Sequence, residues 1–468
     1  MADNLNESIK KLKLFDAVTI VAGSMIGSGI FIVSSDIARQ VNSSGLLLIV
    51  WLVAGILTIL GALCYGEYAA CWPQAGGQYV YLRKVWGEPI GFLWGWTSFL
   101  VIQTGTIAAV AAAFSKFLGI LFPFVSSTHY LINSHYFSLS YQQIAAILLI
   151  IAATCINLAG IKIGSIIQNV FTVTKVVSLL GLVLCGVYWG LNSHNFDFSG
   201  ILTLPVLDMN LVSIMAVAMV GALFSSDAWN NVTFIAGEIE KAEKNLPLAL
   251  IIGTGLVIIL YLLTNIAYLA VLPFSAIQHP SHDIIGAAFM GSIFGVYGKK
   301  IISIIIIISV IGCINGMILA GARVFYAMAK DGIFFKKLSK LGSKSGVPEN
   351  SLILQGIWAS ILVLSGTYSQ LLDYVIFAAL IFYVMTIGGL FIFRKKYPDI
   401  PRPYKIMGYP YIPLIYCIIA SFIAINILIS KPFYAWAGLI IVMAGIPVYL
   451  FWKRTGNIDI ESEITAEE

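Results

Sequence analysis

The stretch Ala22–Phe31 reads AGSMIGSGIF and lies inside an apolar run, Leu14–Ser34, that is long enough to cross a bilayer. Gly23, Gly27 and Gly29 stand there with Ser24 and Ser28 between them. Each glycine inside a helix costs roughly 1 kcal/mol relative to alanine, so something in the fold must offset the loss. Two readings do so. Gly23 and Gly27 form a small-residue face on which a neighbouring helix packs closely, or the helix unwinds and its freed backbone groups line a cavity in the membrane.

Composition sets the frame for that choice. Of 468 residues, 59% are hydrophobic and 10% charged, and the mean hydropathy is +0.93. That is an integral membrane protein, and its apolar runs have helix lengths rather than the alternating ten-residue pattern of barrel strands. About twelve spans are expected: 14–34, 45–71, 89–121, 142–158, 170–191, 211–235, 248–272, 301–329, 352–366, 371–393, 412–429 and 435–452, with 294–310 a possible extension of the eighth. With both ends on one side, 21 of the 27 lysines and arginines fall on that side and five on the other, leaving Lys175 within a span. This asymmetry marks the ends as cytoplasmic and favours an even number of spans. The polar start MADNLNESIKKLK lacks a signal-peptide pattern, so the first span is expected to stay in the mature chain.

A second irregular place supports the unwound reading. ALFSSDAWNN, Ala222–Asn231, puts Ser225, Ser226, Asp227, Asn230 and Asn231 into the apolar sixth span. Spans one and six are five helices apart, which suggests two five-helix halves of opposite topology followed by two extra helices. The expected division is a tail 1–13, a first repeat 14–191, a second repeat 209–393, helices eleven and twelve in 411–452, and a tail 453–468, both tails cytoplasmic.

GSMIGSGIF, GALCYGEYA (61–69), PQAGGQYVYL (73–82), FSSDAWNNVTFIAGEI (224–239) and NLPLAL (245–250) together resemble the amino acid-polyamine-organocation superfamily, most closely its L-type amino acid transporter branch and the bacterial relatives of that branch. The resemblance implies an all-α membrane fold of the LeuT type: about 12 transmembrane helices, a 5+5 inverted repeat with helices 1 and 6 broken, plus two further helices. It implies sodium-independent amino acid exchange by alternating access. Substrate carboxylate would meet the backbone around Ser24, Met25, Ile26, Gly27, Ser28 and Gly29, and substrate ammonium the carbonyls of Phe224, Ser225 and Ser226. Phe224 would close over the ligand, and Asn230 would be a polar neighbour. Taken alone, Phe224 reads as an ordinary core or lipid-facing aromatic.

Two buried charges are expected to matter, because a charge at mid-helix costs about 2.5–3.5 kcal/mol to insert. Lys175 either snorkels to the near end of its span or, as in the resembling family, takes the place of a sodium ion and braces the first helix against Cys313, Asn315 and Gly316 of the eighth. Proton coupling through it stays open. Asp227 departs from the small residues common in relatives; it either pairs internally or admits a cationic side chain. Glu67, in a stretch the family shares, reads as a structural or gating residue near the inner mouth.

Other functions find little support. No HExxH motif, no GxSxG with partner acid and histidine, and no Cys/His cluster lies in the spans, so no enzyme, cofactor or metal is expected. The six cysteines read as small core residues, and histidines 129, 135, 194, 279 and 282 fall outside the membrane. The net charge of +5 belongs to the loops and implies no nucleic-acid partner. Expected partners are an amino acid and the lipid bilayer. Animal members of the resembling family attach an accessory glycoprotein through a cysteine in the loop after the third span; this loop has none, so the resemblance implies no disulfide-linked subunit, and the short tails suit a bacterial inner membrane, with a monomer or weak oligomer expected. A polyamine carrier or a proton-coupled amino acid transporter is the alternative, and a channel or intramembrane enzyme a remoter one.

Overall fold

A computed structural model describes residues 12–134, 138–193, 205, 208–280, 283–342, 345–365 and 368–454. The expectations for most of the two tails and for histidines 135, 194 and 282 lie outside these residues; His129 and His279 are exposed. The chain is a multi-pass helical membrane protein. Among the described residues ten helical segments are long and apolar enough to span, and two shorter apolar helices, Met209–Ser225 and Glu349–Ser365, fill the sixth and ninth places.

The first span is not one helix. α1 (Leu14–Met25) stops at Ile26, whose extended backbone (φ −74°, ψ 93°) ends the helical hydrogen bonding. A single 3-10 turn, Gly29–Phe31, follows, and α2 (Val33–Val41) completes the crossing. α3 (Ser44–Cys71) is the second span, and α4 (Gln78–Trp86) is a short helix beyond it. The third span consists of α5 (Glu88–Thr97), a π turn (Ser98–Ile102) and α6 (Gln103–Leu121). A small hairpin, β1 (Tyr130–Asn133) and β2 (Ser138–Ser140), leads into α7 (Tyr141–Leu158). α8 (Ile161–Ser193) is the fifth span.

The sixth span breaks like the first. α9 (Met209–Ser225) ends at Ser226, four irregular residues follow, and α10 (Asn231–Phe234) is a single turn. Then come α11 (Ala242–Val271), the short α12 (Phe274–Gln278), α13 (Ile285–Lys330), α14 (Glu349–Ser365), α15 (Tyr368–Lys396), α16 (Tyr411–Ser430) and α17 (Pro432–Arg454).

Two expected boundaries need correction. The fifth helix begins at Ile161, more than two turns before Val170, because Gly160 (φ 117°) supplies the turn and helix starts directly after it. The eighth begins at Ile285 and is bent at Gly295 (φ 60°, ψ −141°), a conformation that L side chains rarely adopt. The cysteines are also less uniform than expected: Cys64 and Cys313 are buried, whereas Cys155 is exposed.

Packing is organised in pairs. α3 lies against α11, α6 against α13, and α7 against α14, while α1 sits between α8 and α11. The lipid-facing sides of the outer helices carry Val170, Val173, Val177 and Leu184 on α8 and Ile418 and Ile425 on α16, all exposed. Leu12 and Arg454 share one face. Leu12 forms an isolated bridge with Ile239 through backbone bonds to Glu238 and Glu240, Glu238 holds Arg323 near the end of α13, and Trp452 stacks on Phe334 just beyond that end.

Candidate substrate site at two helix breaks

The break in the first span divides its backbone groups cleanly. Four carbonyls at the end of α1 are capped by side chains. Lys175 Nζ donates to Gly23 O at 2.6 Å, Cys313 Sγ to Ser24 O at 2.9 Å, the Tyr261 hydroxyl to Met25 O at 2.9 Å, and the Ser309 hydroxyl to Ile26 O at 3.2 Å. The N–H groups of Gly27, Ser28 and Gly29 have no hydrogen-bond partner among the described residues. An unmet backbone donor in an apolar interior costs about 1–3 kcal/mol, so three in succession are unlike ordinary packing.

The glycines allow close packing around the break. A Cβ on Gly23 would sit 2.1 Å from Thr172 Oγ1, so that glycine lets α8 approach. A Cβ on Gly29 would sit 2.2 Å from Ser225 Oγ and 3.0 Å from Ser225 Cα, so the two breaks touch there. Gly27 faces Cys313 Sγ at 3.2 Å from its would-be Cβ.

At the sixth-span break, the Ser226 amide donates to Ala222 O at 3.0 Å and Leu223 O at 3.2 Å, and the Asp227 amide donates to Phe224 O at 3.2 Å. The Tyr261 hydroxyl lies 3.2 Å from Ser225 O, so one side chain of α11 touches the broken ends of both spans. Ala228 is held at φ 65°, a strained conformation for a residue with a side chain. Ser226 Oγ and Ser24 Oγ are buried without a hydrogen-bond partner among the described residues. Phe224, the penultimate residue of α9, is buried.

Asp227 is not free. Tyr383 of α15 donates to its Oδ1 at 2.6 Å, and Trp229 stacks on the same ring at 5.6 Å between centroids. Asn230 donates to Gln78 Oε1 at 3.1 Å, and Gln78 donates to Thr386 at 3.0 Å, which ties the break to α4 and α15. Asp227 lines two cavities of about 20 Å³ each, one beside the π turn of the third span with Trp94, Ser98, Gln103 and Asn230, the other beside Thr58 and Tyr416. Twenty cubic ångströms holds about one water, so the site is closed in this conformation. None of Ser24–Gly29, Phe224, Ser225 or Ser226 lines either cavity.

Lys175 is 2% exposed and touches α1 rather than snorkelling. Its neighbours on α13 differ from expectation. Gly312 and Cys313 lie beside it, whereas Asn315 donates to Gly164 O and pairs with Asn157, and Gly316 faces Ser24 and Gln168. Position along the helix explains the difference: Asn315 and Gly316 also face α8, but at Gly164 and Gln168, about two to three turns before Lys175. Glu67 is fully buried away from both breaks. It takes two hydrogen bonds from Arg394 (2.9 and 2.7 Å) and one from the Ile406 amide (2.9 Å), with Arg402 at 3.7 Å. Its place is therefore the anchor of the 401–410 loop.

Residues 12–450 match the family model described as amino acid permease. The chain belongs to that family. It is 31% identical to the "b(0,+)-type amino acid transporter 1" of Mus musculus, over 95% of this chain and 88% of the relative. It is 30% identical to the "Large neutral amino acids transporter small subunit 2" of Rattus norvegicus, over 95% and 81%. To the "Serine/threonine exchanger SteT" of Bacillus subtilis (strain 168) it is 30% identical, over 95% and 97%. These relatives bear the names of transporters, none that of an enzyme.

Sequence reading missed Tyr261 and Tyr383. Both stand in apolar helices among other aromatics, and a lone phenol in such a run carries no pattern that distinguishes a ligand-site hydroxyl from a core ring.

Proposed function

We propose that the protein is a sodium-independent amino acid exchanger that works by alternating access, with substrate held between the breaks of the first and sixth spans. One observation carries this reading: the amides of Gly27, Ser28 and Gly29 are unpaired, whereas the four carbonyls before them are all capped. A zwitterion in hydrocarbon needs donors for its carboxylate and acceptors for its ammonium, and broken backbone provides both without adding fixed charge. The capped carbonyls point to the amides as the carboxylate side. The relatives' names, two transporters and an exchanger of amino acids, support the same class of cargo.

The rest of the scheme follows from this. Exchange of spans one to five with spans six to ten maps the α3–α11, α6–α13 and α7–α14 contacts onto themselves, which supports a 5+5 inverted repeat. Lys175, bonded to the Gly23 carbonyl, does the work a bound cation would do at that carbonyl. Phe224 closes over the ligand. The Leu12 face carries Arg83, Lys330, Lys336 and the Arg394–Lys396 cluster, which supports a cytoplasmic position for it, in a bacterial inner membrane and with no disulfide-linked subunit.

Asp227 favours a second reading of the substrate. Its carboxylate, buried with Tyr383 as partner, suits a cationic side chain or a polyamine. A polyamine has no carboxylate and would leave the Gly27–Gly29 amides unused, so a cationic amino acid fits better. Uptake of labelled alanine, leucine and arginine into sodium-free proteoliposomes, with and without internal amino acid, tests both points. Uptake that rises with internal amino acid supports exchange, and preference for arginine that Asp227→Asn removes supports the cationic reading. No uptake of any of the three under any gradient refutes the proposal.

A further inference from the structure

On the face opposite Leu12 the structure contains a chamber of about 410 Å³, within the size range of small-molecule sites and some twenty times the volume beside Asp227. Its roof is the β1–β2 hairpin with Tyr130 and Ser138, and its walls come from α2, α6 and α7. Four charges line it: Asp36 and Arg39 on α2, Lys116 on α6, and Asp283 just before α13. Arg39 already pairs with Asp36 on its own helix, with Asp283 at 3.3 Å and with Gln278 O at 2.7 Å. Two aspartates therefore share one arginine and keep spare acceptor capacity. Lys116 stands across from them, and among the described residues no carboxylate lies within 4 Å of it, although Asp283 and Asp36 act on it through space.

We propose that this chamber is a second, peripheral site for a free α-amino acid, with the carboxylate on Lys116 and the ammonium on Asp36 and Asp283. The lining sums to zero net charge, so a ligand that also sums to zero but carries both signs leaves nothing uncompensated, whereas a simple anion or cation leaves one charge unmatched in a partly dehydrated space. Uncharged hydrogen-bonding groups from Gln142, Gln143 and Ser127 surround that pairing. A ligand there also touches the arginine that fastens α2 to Gln278 and Asp283, so its occupancy bears on whether the outer half of the first span is held shut.

The inference rests on the amino acid reading above, and equilibrium binding to purified protein in nanodiscs separates the two. The probe is whichever of labelled alanine, leucine or arginine proteoliposomes take up fastest. Two sites per wild-type chain, falling to one in Lys116→Ala and restored in Lys116→Arg, support the proposal. Lys116→Glu serves as a second variant in which the charge is reversed and the same loss is expected. One site per chain in wild type, unchanged in Lys116→Ala, overturns the peripheral site and leaves the exchanger intact. No binding to wild type at all overturns the exchanger reading, and this inference with it.

Discussion

At the scale of single residues, the breaks are held by side chains that each make one decisive contact. Tyr261 lies within hydrogen-bonding distance of Met25 O and Ser225 O, yet a phenol has one proton, so it serves the two carbonyls in turn. Its loss leaves a carbonyl unmet in an apolar interior, at about 1–3 kcal/mol. Tyr261→Phe is therefore expected to slow the initial rate of exchange about tenfold, and a rate within twofold of wild type would refute the bridging role. Lys175 is a different case, because its charge as well as its proton matters. Lys175→Ala should abolish exchange in proteoliposomes while the purified protein stays monodisperse, and Lys175→Arg should not restore it, since a planar guanidinium does not fit where an ammonium makes a single bond to Gly23 O. Exchange at the wild-type rate in the alanine variant would remove Lys175 from the mechanism.

At the scale of elements, the decisive contact is between two interruptions rather than two helices. Gly29 and Ser225 meet so closely that one added methyl forces them apart, with a would-be Cβ 2.7 Å from Ser225 Cβ and 2.2 Å from its Oγ. Gly29→Ala should reduce exchange to near background, and the double variant with Ser225→Gly should recover a substantial part of it, because the second change removes the two closest atoms and leaves only Ser225 Cα, at 3.0 Å. Failure of the double variant to recover any transport would show that Gly29 is needed for backbone conformation instead of space. These breaks were legible in the sequence because polar and small residues stand out in apolar runs: Gly27 to Gly29 and Ser225 to Asn231 were both found that way. The π turn at Ser98–Ile102 was not, since SFLVI is ordinary helical sequence and its widening is imposed by neighbours. The direction of Asp227 was equally hidden, because its partner Tyr383 is 156 residues away.

At the scale of the whole molecule, both faces are fastened, and by different means. On the face opposite Leu12 one tie is a partly exposed ion pair, Arg39 with Asp283, and another joins Lys431 to the buried Asp373. An exposed pair such as the first is worth about 0–1 kcal/mol and yields easily. On the Leu12 face the closure is drier. Leu12, 1% exposed, exchanges backbone hydrogen bonds with Glu238 and Glu240 (3.1 and 2.9 Å), and Glu238 holds Arg323, which is 2% exposed, at 3.1 Å. Removing one partner from a buried pair typically costs about 3–5 kcal/mol because the other charge is stranded. Arg323→Ala should thus loosen the Leu12 face selectively. Hydrogen–deuterium exchange of the Ile235–Glu240 amides is expected to accelerate at least tenfold, the equivalent of about 1.4 kcal/mol, while Val33–Val41 keeps its wild-type rate. Acceleration in both segments alike would mean that the variant has lost stability throughout, and unchanged exchange at Ile235–Glu240 would mean that Arg323 does not hold this face closed.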